Sequence, residues 1–364
     1  MTASATMPSS VLRVQDRLTW NEELITNLLA IWTLVGVFLD GWAHSKYEII
    51  DTFFTPWHGV FYSGFLAMTL WIAWCVIRNH QAGMRWRDAI PTGYSLAIVG
   101  LGIFALGAIG DFSWHELFGA EVAGERLASP AHLLLFVGGL LVITAPLRAA
   151  WAADPEGFAP SLKQFLPTLL SMTLCTTAAS YLLLNVWGFR SAELLGTAQL
   201  QALLAAVAQS PAVTRTMEVM VQTRVFGSLL LTNLLLLTPV LLMVRRWRIP
   251  FGSITILFTT VVAAMNSLTE FRMPEVIAVA FVSGLAADVL VKVLQPSQLR
   301  VAAFRILATA APAVLWGVYS VGTSARWGLT VSPDLWLGGI FFAAVSGFGL
   351  SLAMVPCAPK DSAR

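Results

Sequence analysis

The chain has 364 residues, of which 57% are hydrophobic and only 12% are charged. Soluble domains carry about 25% charged residues, so this composition excludes an ordinary soluble domain and indicates a polytopic membrane protein. The net charge of +2 is too small to favour a nucleic-acid partner. The lipid bilayer is therefore the first partner that we expect.

Taken in chain order, residues 1–21 are polar and lack the apolar core and cleavage site of a signal peptide. Continuous apolar runs follow, each near the ~20 residues that cross the hydrocarbon core as a helix. They predict an all-α, polytopic transmembrane helix bundle of about ten spans. The predicted spans are 22–42, 56–77, 91–110, 130–151, 165–187, 225–244, 251–271, 274–294, 300–321 and 335–356.

Lys and Arg residues in the connections predict the orientation of the spans. Alternate segments, beginning with the N-terminal one, hold fourteen of these residues, and the remaining segments hold seven. This ratio favours a multi-pass protein of the cell membrane, with a cytoplasmic N-terminal segment at 1–21 and a cytoplasmic tail at 357–364. The longest connection on the other side, at about 188–223, is expected to contain a short surface helix.

Two stretches between the first four spans share one pattern. Residues 40–58 read DGWAHSKYEIIDTFFTPWH, and residues 111–132 read DFSWHELFGAEVAGERLASPAH. Both contain Asp-x3-His and end in a Ser/Thr-Pro-x-His sequence. The pattern predicts a tandem repeat of helix pairs within 22–152, followed by a second membrane helix bundle at 153–356.

The Asp-x3-His spacing predicts metal ligands on one helix face. Asp40 and His44 are four residues apart, as are Asp111 and His115. Residues at positions i and i+4 of a helix are neighbours about one turn apart. Each carboxylate and imidazole can therefore share a metal ion or a proton.

The Ser/Thr-Pro-x-His sequences predict helix starts. Thr55 and Ser129 are suited to the N-cap position, and the proline after each is favoured at the first helical position. His58 and His132 then occupy the third helical position, near the membrane boundary. The spacing therefore predicts two further imidazoles at the same depth.

The combined donor set predicts a transition-metal site at the extracytoplasmic face. Imidazole with carboxylate suits copper, zinc or iron, whereas calcium and magnesium prefer oxygen ligands alone. The three cysteines lie in separate segments, so a thiolate site is not expected. A proton-handling or structural polar cluster, or haem ligation, remains as an alternative. The predicted ligands are Asp40, His44, Asp51, His58, Asp111, His115, Glu121 (with Glu125 as its alternative) and His132.

This donor pattern resembles the ligand triad in a metal-binding subunit of the copper membrane monooxygenases that oxidise methane and ammonia. In those enzymes too, the ligands come from adjacent transmembrane helices. The resemblance implies copper and oxidation chemistry. The resemblance covers six positions of this chain. The monooxygenase subunit is expected to carry the triad once, whereas this chain carries it twice, as Asp40, His44 and His58 and as Asp111, His115 and His132.

Three charged residues outside the repeats carry further predictions. The end of the seventh span contains Glu270, four residues after Asn266 and two before Arg272. We expect Glu270 to face the histidines as a general base or orienting group, with Arg272 balancing charge or binding an anionic substrate. In the eighth span, Asp288 is predicted to form a structural ion pair, with Lys292 and Arg305 as its partners.

These observations favour a metal-dependent membrane enzyme that oxidises or hydrolyses an apolar or lipid-like small molecule. The alternatives are a transporter or metal-handling protein with the cluster as its entry site, and a structural subunit of a membrane complex. The sequence leaves open whether the protein is an enzyme, which metal it holds and whether it forms an oligomer.

Overall fold

A computed structural model describes residues 17–46, 53–118, 129–190, 202, 205–206, 211–327 and 333–356. No strand forms within these ranges, so the all-α prediction is confirmed. Two single-turn 3-10 helices, Leu184–Val186 and Gly188–Arg190, follow the sixth helix. The α-helices are α1 (Trp20–Lys46), α2 (Pro56–Gln81), α3 (Ser95–Phe118), α4 (Pro130–Ile143), α5 (Ala145–Ala153), α6 (Leu162–Leu182), α7 (Pro211–Arg246), α8 (Ser253–Ser267), α9 (Glu275–Leu294), α10 (Val301–Trp327) and α11 (Pro333–Met354).

The polytopic bundle is confirmed. Among the described residues, nine helices are long and apolar enough to cross a membrane, with α4 and α5 counted as one span, Pro130–Ala153. The exception is α8, the seventh predicted span, whose 15 residues extend about 22 Å against about 30 Å of hydrocarbon. The bundle thus consists of long spans packed around one short helix.

The helices alternate in direction, so their connections lie at two ends of the bundle. We call the end marked by Lys46 and Pro56 the histidine end. At the opposite end, Arg17 pairs with Asp154 at 3.3 Å, and Arg246 donates to the carbonyl oxygen of Trp151 at 2.7 Å. We call this second end the basic end, because most of the Lys and Arg residues in the described connections lie there.

The predicted helix starts are confirmed. Thr55 Oγ1 accepts a hydrogen bond from the backbone N–H of His58 at 3.2 Å. Ser129 Oγ accepts the equivalent bond from His132 at 3.3 Å, and a proline begins each helix. Both caps satisfy a backbone donor that the first helical turn leaves free. They fix the two histidines in the first turns of α2 and α4.

Glycine lets the helices of each pair approach closely. A Cβ atom at Gly36 of α1 would lie 2.4 Å from Cα of Phe61 in α2. In the second pair, a Cβ atom at Gly138 of α4 would lie 2.6 Å from the backbone nitrogen of Phe104 in α3. Small residues at such crossings are typical of membrane helix pairs. Both pairs use the same packing, while the tandem repeat itself remains a prediction.

Two expectations for the second half need correction. Helix α7 begins at Pro211, so the last part of the predicted 188–223 connection belongs to a helix of 36 residues. Asp288 caps a helix instead of showing the predicted pairing with Lys292 and Arg305. Its carboxylate accepts hydrogen bonds from the backbone N–H groups of Ile254 and Thr255, at 3.1 and 3.0 Å. Backbone N–H groups in the first turn of a helix have no partner within the helix, so those of α8 bind the Asp288 carboxylate in place of the predicted cations.

We predict that Gly138→Ala destabilises the protein while Gly102→Ala does not. The alanine methyl group at position 138 meets backbone atoms of α3, whereas a Cβ atom at Gly102 has nothing within 4 Å. Overpacking of this kind costs about 1–3 kcal/mol. The midpoint of thermal unfolding in one lipid or detergent system measures both variants. Equal midpoints for the two variants would contradict the close crossing of α3 and α4.

Candidate metal centre

The histidine end brings six of the predicted ligands together. All six side chains are at most 25% exposed. The last turns of α1 and α3 and the first turns of α2 and α4 supply them. They are Asp40 and His44 from α1, His58 from α2, Asp111 and His115 from α3, and His132 from α4.

In the first triad, two imidazoles point at one carboxylate oxygen. The Nε2 atom of His58 lies 3.2 Å from Oδ1 of Asp40, and the Nε2 atom of His44 lies 3.7 Å from the same oxygen. Asp40 Oδ1 is buried and accepts no hydrogen bond from the described part of the chain. A buried carboxylate oxygen without a donor is costly, so this position favours a cation.

The second triad has a similar arrangement around Asp111. The Nε2 atoms of His132 and His115 lie 3.4 and 3.7 Å from Oδ1 of Asp111. The other carboxylate oxygen, Oδ2, accepts a hydrogen bond from the hydroxyl group of Tyr62 at 2.8 Å. This bond from α2 orients the carboxylate of α3 and joins the two helix pairs.

His58 connects the two triads. Its ligand atom forms a compact group with those of Asp40 and His44, and another with those of Asp111 and His115; within each group all atoms lie within 4.8 Å. The rings of His58 and His115 have centroids 5.9 Å apart. The two halves of the pattern therefore meet in one cluster, as the sequence leads us to expect, and their role as metal ligands remains a prediction.

The hydrogen bonding of His58 defines its tautomer. Its Nδ1 atom lies 2.5 Å from the carbonyl oxygen of Phe53. A carbonyl oxygen only accepts, so Nδ1 carries a proton, and in a neutral ring the Nε2 lone pair faces Asp40. Metal-binding histidines commonly donate their second ring N–H to such an acceptor.

The distances in the cluster suit ligands around a tetrahedral ion. Ligand atoms about 2.0–2.1 Å from such an ion lie about 3.3–3.4 Å from each other. The four Nε2–Oδ1 distances are 3.2, 3.4, 3.7 and 3.7 Å. The two longest exceed the usual range of a direct hydrogen bond. The side chains are thus directed at shared points and not only at each other.

Phe53 and Tyr62 belong to the site but were not singled out from the sequence. The ring of Phe53 packs on His58 and His115, with centroid distances of 4.8 and 5.8 Å, and reduces their contact with water. Tyr62 is four residues after His58, a spacing that could have indicated it. Phe53 lies in an irregular segment and has no comparable signal.

The cluster lines one end of a cavity of about 260 Å³. The cavity follows α1 from Ser45 to Thr33, which corresponds to about 18 Å of helix. It lies between the two helix pairs and α6. From the histidines toward Thr33, the lining of the cavity is mainly apolar, and we call this part the apolar section. It includes Leu34, Val37, Phe61, Phe104, Leu135, Phe136, Leu140, Ile143 and Ala178.

Glu270 does not line this cavity, so the expected approach to the histidines is not found in the described structure. Its carboxylate accepts a hydrogen bond from the indole of Trp42 at 3.1 Å and pairs with the ammonium group of Lys46. Positions 42 and 46 are about 200° around α1 from Asp40 and His44. The ammonium group holds the pKa of Glu270 below its usual value.

The remaining predicted site residues lie elsewhere. Arg272 lines a separate cavity of about 20 Å³, together with Asn266 and Arg190. Asp51 and Glu121, like Glu125, lie outside the described residues. The catalytic roles of Glu270 and Arg272 and the ligand roles of Asp51 and Glu121 remain predictions.

Comparison with known proteins does not assign the chain to a family. No family model matches it, and no curated protein or solved structure is detectably similar to it. The resemblance to the copper membrane monooxygenases therefore stays at the level of the triad. The function has to be argued from the geometry of the cluster and its cavity.

We predict that Glu270→Gln leaves the metal content unchanged, whereas Asp40→Asn lowers it. Glu270 faces Trp42 and Lys46, while Asp40 supplies the oxygen at which two imidazoles point. Elemental analysis of the purified variants measures both. A loss of metal in Glu270→Gln equal to that in Asp40→Asn would place Glu270 in the cluster after all.

Proposed function

We propose that the chain is a membrane metalloprotein that binds copper, zinc or iron at the histidine end, and that it acts as a metal-dependent enzyme on an apolar or lipid-like small molecule. The observation that carries this proposal is the convergence of imidazole Nε2 atoms on carboxylate oxygens at 3.2–3.7 Å. Histidine with carboxylate is a donor set that these metals favour.

The charge of the cluster supports a bound dication. The ion pairs found for Asp40 and Asp111 among the described residues are with histidines, which are neutral when they act as ligands. Two carboxylates in a largely buried cluster are costly without compensating positive charge. A divalent ion supplies that charge and gives a cationic partner to Asp40 Oδ1, which accepts no hydrogen bond from the described residues.

The cavity supports a catalytic role over a transport role. Its apolar section extends beneath the cluster toward Thr33, and the described lining of this section has no charged side chain that would guide an ion across the membrane. Transporters place broken helices and polar groups near the midplane. A metal at the end of an apolar cavity can activate water for hydrolysis, or oxygen if the metal is copper or iron.

The orientation in the membrane is part of the proposal. The basic end carries most of the Lys and Arg residues of the connections, and such residues favour the cytoplasmic side. We therefore propose that both termini are cytoplasmic and that the metal centre lies at the extracytoplasmic face of the cell membrane. Access of one thiol reagent to single cysteines placed in the connections at each end would test this.

The metal proposal predicts a bound transition metal that depends on the cluster. Purified protein should contain at least one ion per chain, and the double variant His58→Ala/His132→Ala should lose most of it. The matched control is His80→Ala, because His80 is stacked on Trp86 at the basic end. Metal content is measured on protein with an unchanged elution profile. Undiminished metal in the double variant would reject these residues as ligands.

Metal retention should also depend on pH. Imidazole ligates in its neutral form and has an unperturbed pKa of about 6.5, so protons compete with the ion as the pH falls through this range. We expect progressive loss of metal on dialysis below about pH 6.5 and full retention at neutral pH. Retention that stays constant from neutral to acidic pH would contradict histidine ligation.

A further inference from the structure

The cavity that contains the cluster is also lined by an arginine. Arg190 ends the second 3-10 turn after α6 and lies at the histidine end, where it borders the same cavity as Asp40 and the four histidines. None of the other described residues that line this cavity is a lysine or an arginine. Its guanidinium group therefore places a positive charge at the polar end of the cavity, which Asp40, Asp111 and the histidines also line.

The fold holds this arginine in place through its neighbours. Trp187 and Phe189 are only 3% and 2% exposed. The backbone N–H of Gly188 donates to Thr232 Oγ1 at 2.7 Å, and the ring of Phe189 stacks on Trp316 with a centroid distance of 5.3 Å. The position of Arg190 beside the cavity is thus determined by packed side chains and not by a free loop.

A second arginine adds to the positive potential. Arg272 and Arg190 both border the small neighbouring cavity of about 20 Å³. The charged side chains in the described lining of this small cavity are both arginines, and clefts lined by one sign of charge attract ligands of the opposite sign. Guanidinium groups are also well suited to carboxylate and phosphate groups, which they bind through paired hydrogen bonds.

The size of the apolar section limits the hydrophobic group that a ligand can carry next to its acidic group. The whole cavity, including its polar end, has a volume of about 260 Å³, which is larger than the roughly 150 Å³ of an engineered apolar cavity that holds benzene. The whole cavity extends along about 18 Å of α1, from Ser45 beside the cluster to Thr33 at the end of the apolar section. This shape suits one medium-length alkyl chain better than the two chains of a phospholipid.

We propose that the cavity binds a single-chain anionic amphiphile, with its acidic group at Arg190 and its alkyl chain in the apolar section toward Thr33. This inference rests on the proposed function, because it names the substrate class of the same site. The acidic group and the first carbons of the chain then lie at the depth of the metal centre. The acid is a carboxylate or a phosphate, and the two are separated by experiment.

The test compares three eight-carbon probes that differ in the head group: octanoate, octyl phosphate and 1-octanol. Their binding to the full-length protein in nanodiscs is measured by calorimetry, with empty nanodiscs as the blank. We expect at least one of the two anions to bind about tenfold or more tightly than the alcohol, since charge-assisted hydrogen bonds are the stronger kind. Which anion binds more tightly identifies the head group. Equal affinities for all three probes would overturn the proposal.

Three variants assign the effect to Arg190. Arg190→Gln should abolish the preference for the anion and keep the affinity for 1-octanol, and Arg190→Lys should retain most of the preference. The matched control is Arg224→Gln, because Arg224 supports the same segment through the carbonyl oxygen of Asn185 at 3.0 Å but does not line the cavity. A preference that survives Arg190→Gln, or that is lost equally in Arg224→Gln, would refute the assignment.

The same measurements distinguish this inference from the metal proposal. They are repeated after chelation, which removes bound ions and leaves Arg190 unchanged. If the protein holds no metal, the proposed metal function fails, while a preference that depends on Arg190 still supports the anionic ligand. If metal is bound but octanoate and octyl phosphate bind no better than 1-octanol, only the present inference fails.

Discussion

The pairing of Asp40 and Asp111 with four imidazoles is the interaction on which the histidine end depends. Two carboxylates at this depth require positive charge, and the ion pairs found for them are with histidines. Four helix ends therefore have to meet at one level. Glycines at the crossings bring the helices of each pair into backbone contact, and the hydroxyl caps fix the first turns of α2 and α4. His58, which contacts both halves of the cluster, is the point where the two pairs are joined.

The cavity follows from the same arrangement. Each helix pair packs tightly within itself, and the space between the pairs is filled only in part, so an apolar cavity remains below the polar cluster. Tyr62 closes the gap between the pairs at one point through its bond to Asp111, and Phe53 covers two of the imidazoles. The imidazoles of His58 and His115 are thereby covered on one side, and the cluster is bordered by apolar side chains on the other. Such surroundings strengthen electrostatic interactions within the site.

What could be predicted from the sequence was local. The helix starts and the i, i+4 faces depend on residues a few positions apart, and the sequence predicts them correctly. The surroundings of Glu270 could not be predicted in this way, because its partner Lys46 lies 224 residues earlier in the chain and on the other face of α1. The predicted ion pair of Asp288 with Lys292 and Arg305 was wrong for a similar reason. The N–H groups of α8 that bind its carboxylate become its neighbours only in the folded bundle. Tyr62 contributes through a contact between helix pairs, which spacing alone does not define.

The short helix α8 has a consequence for the way the protein sits in lipid. Its first turn starts beside Asp288, six residues before α9 ends, so it begins inside the bundle where water is scarce. Side chains such as Leu257 and Val261 are fully buried, because other helices enclose α8, whereas most side chains of α1, α2 and α3 are not buried within the protein. A hydrophobic helix shorter than the bilayer normally thins the membrane around it or extends its flanking side chains toward the interface. Enclosed by other helices and capped by a carboxylate, α8 has a length that the thickness of the bilayer does not set.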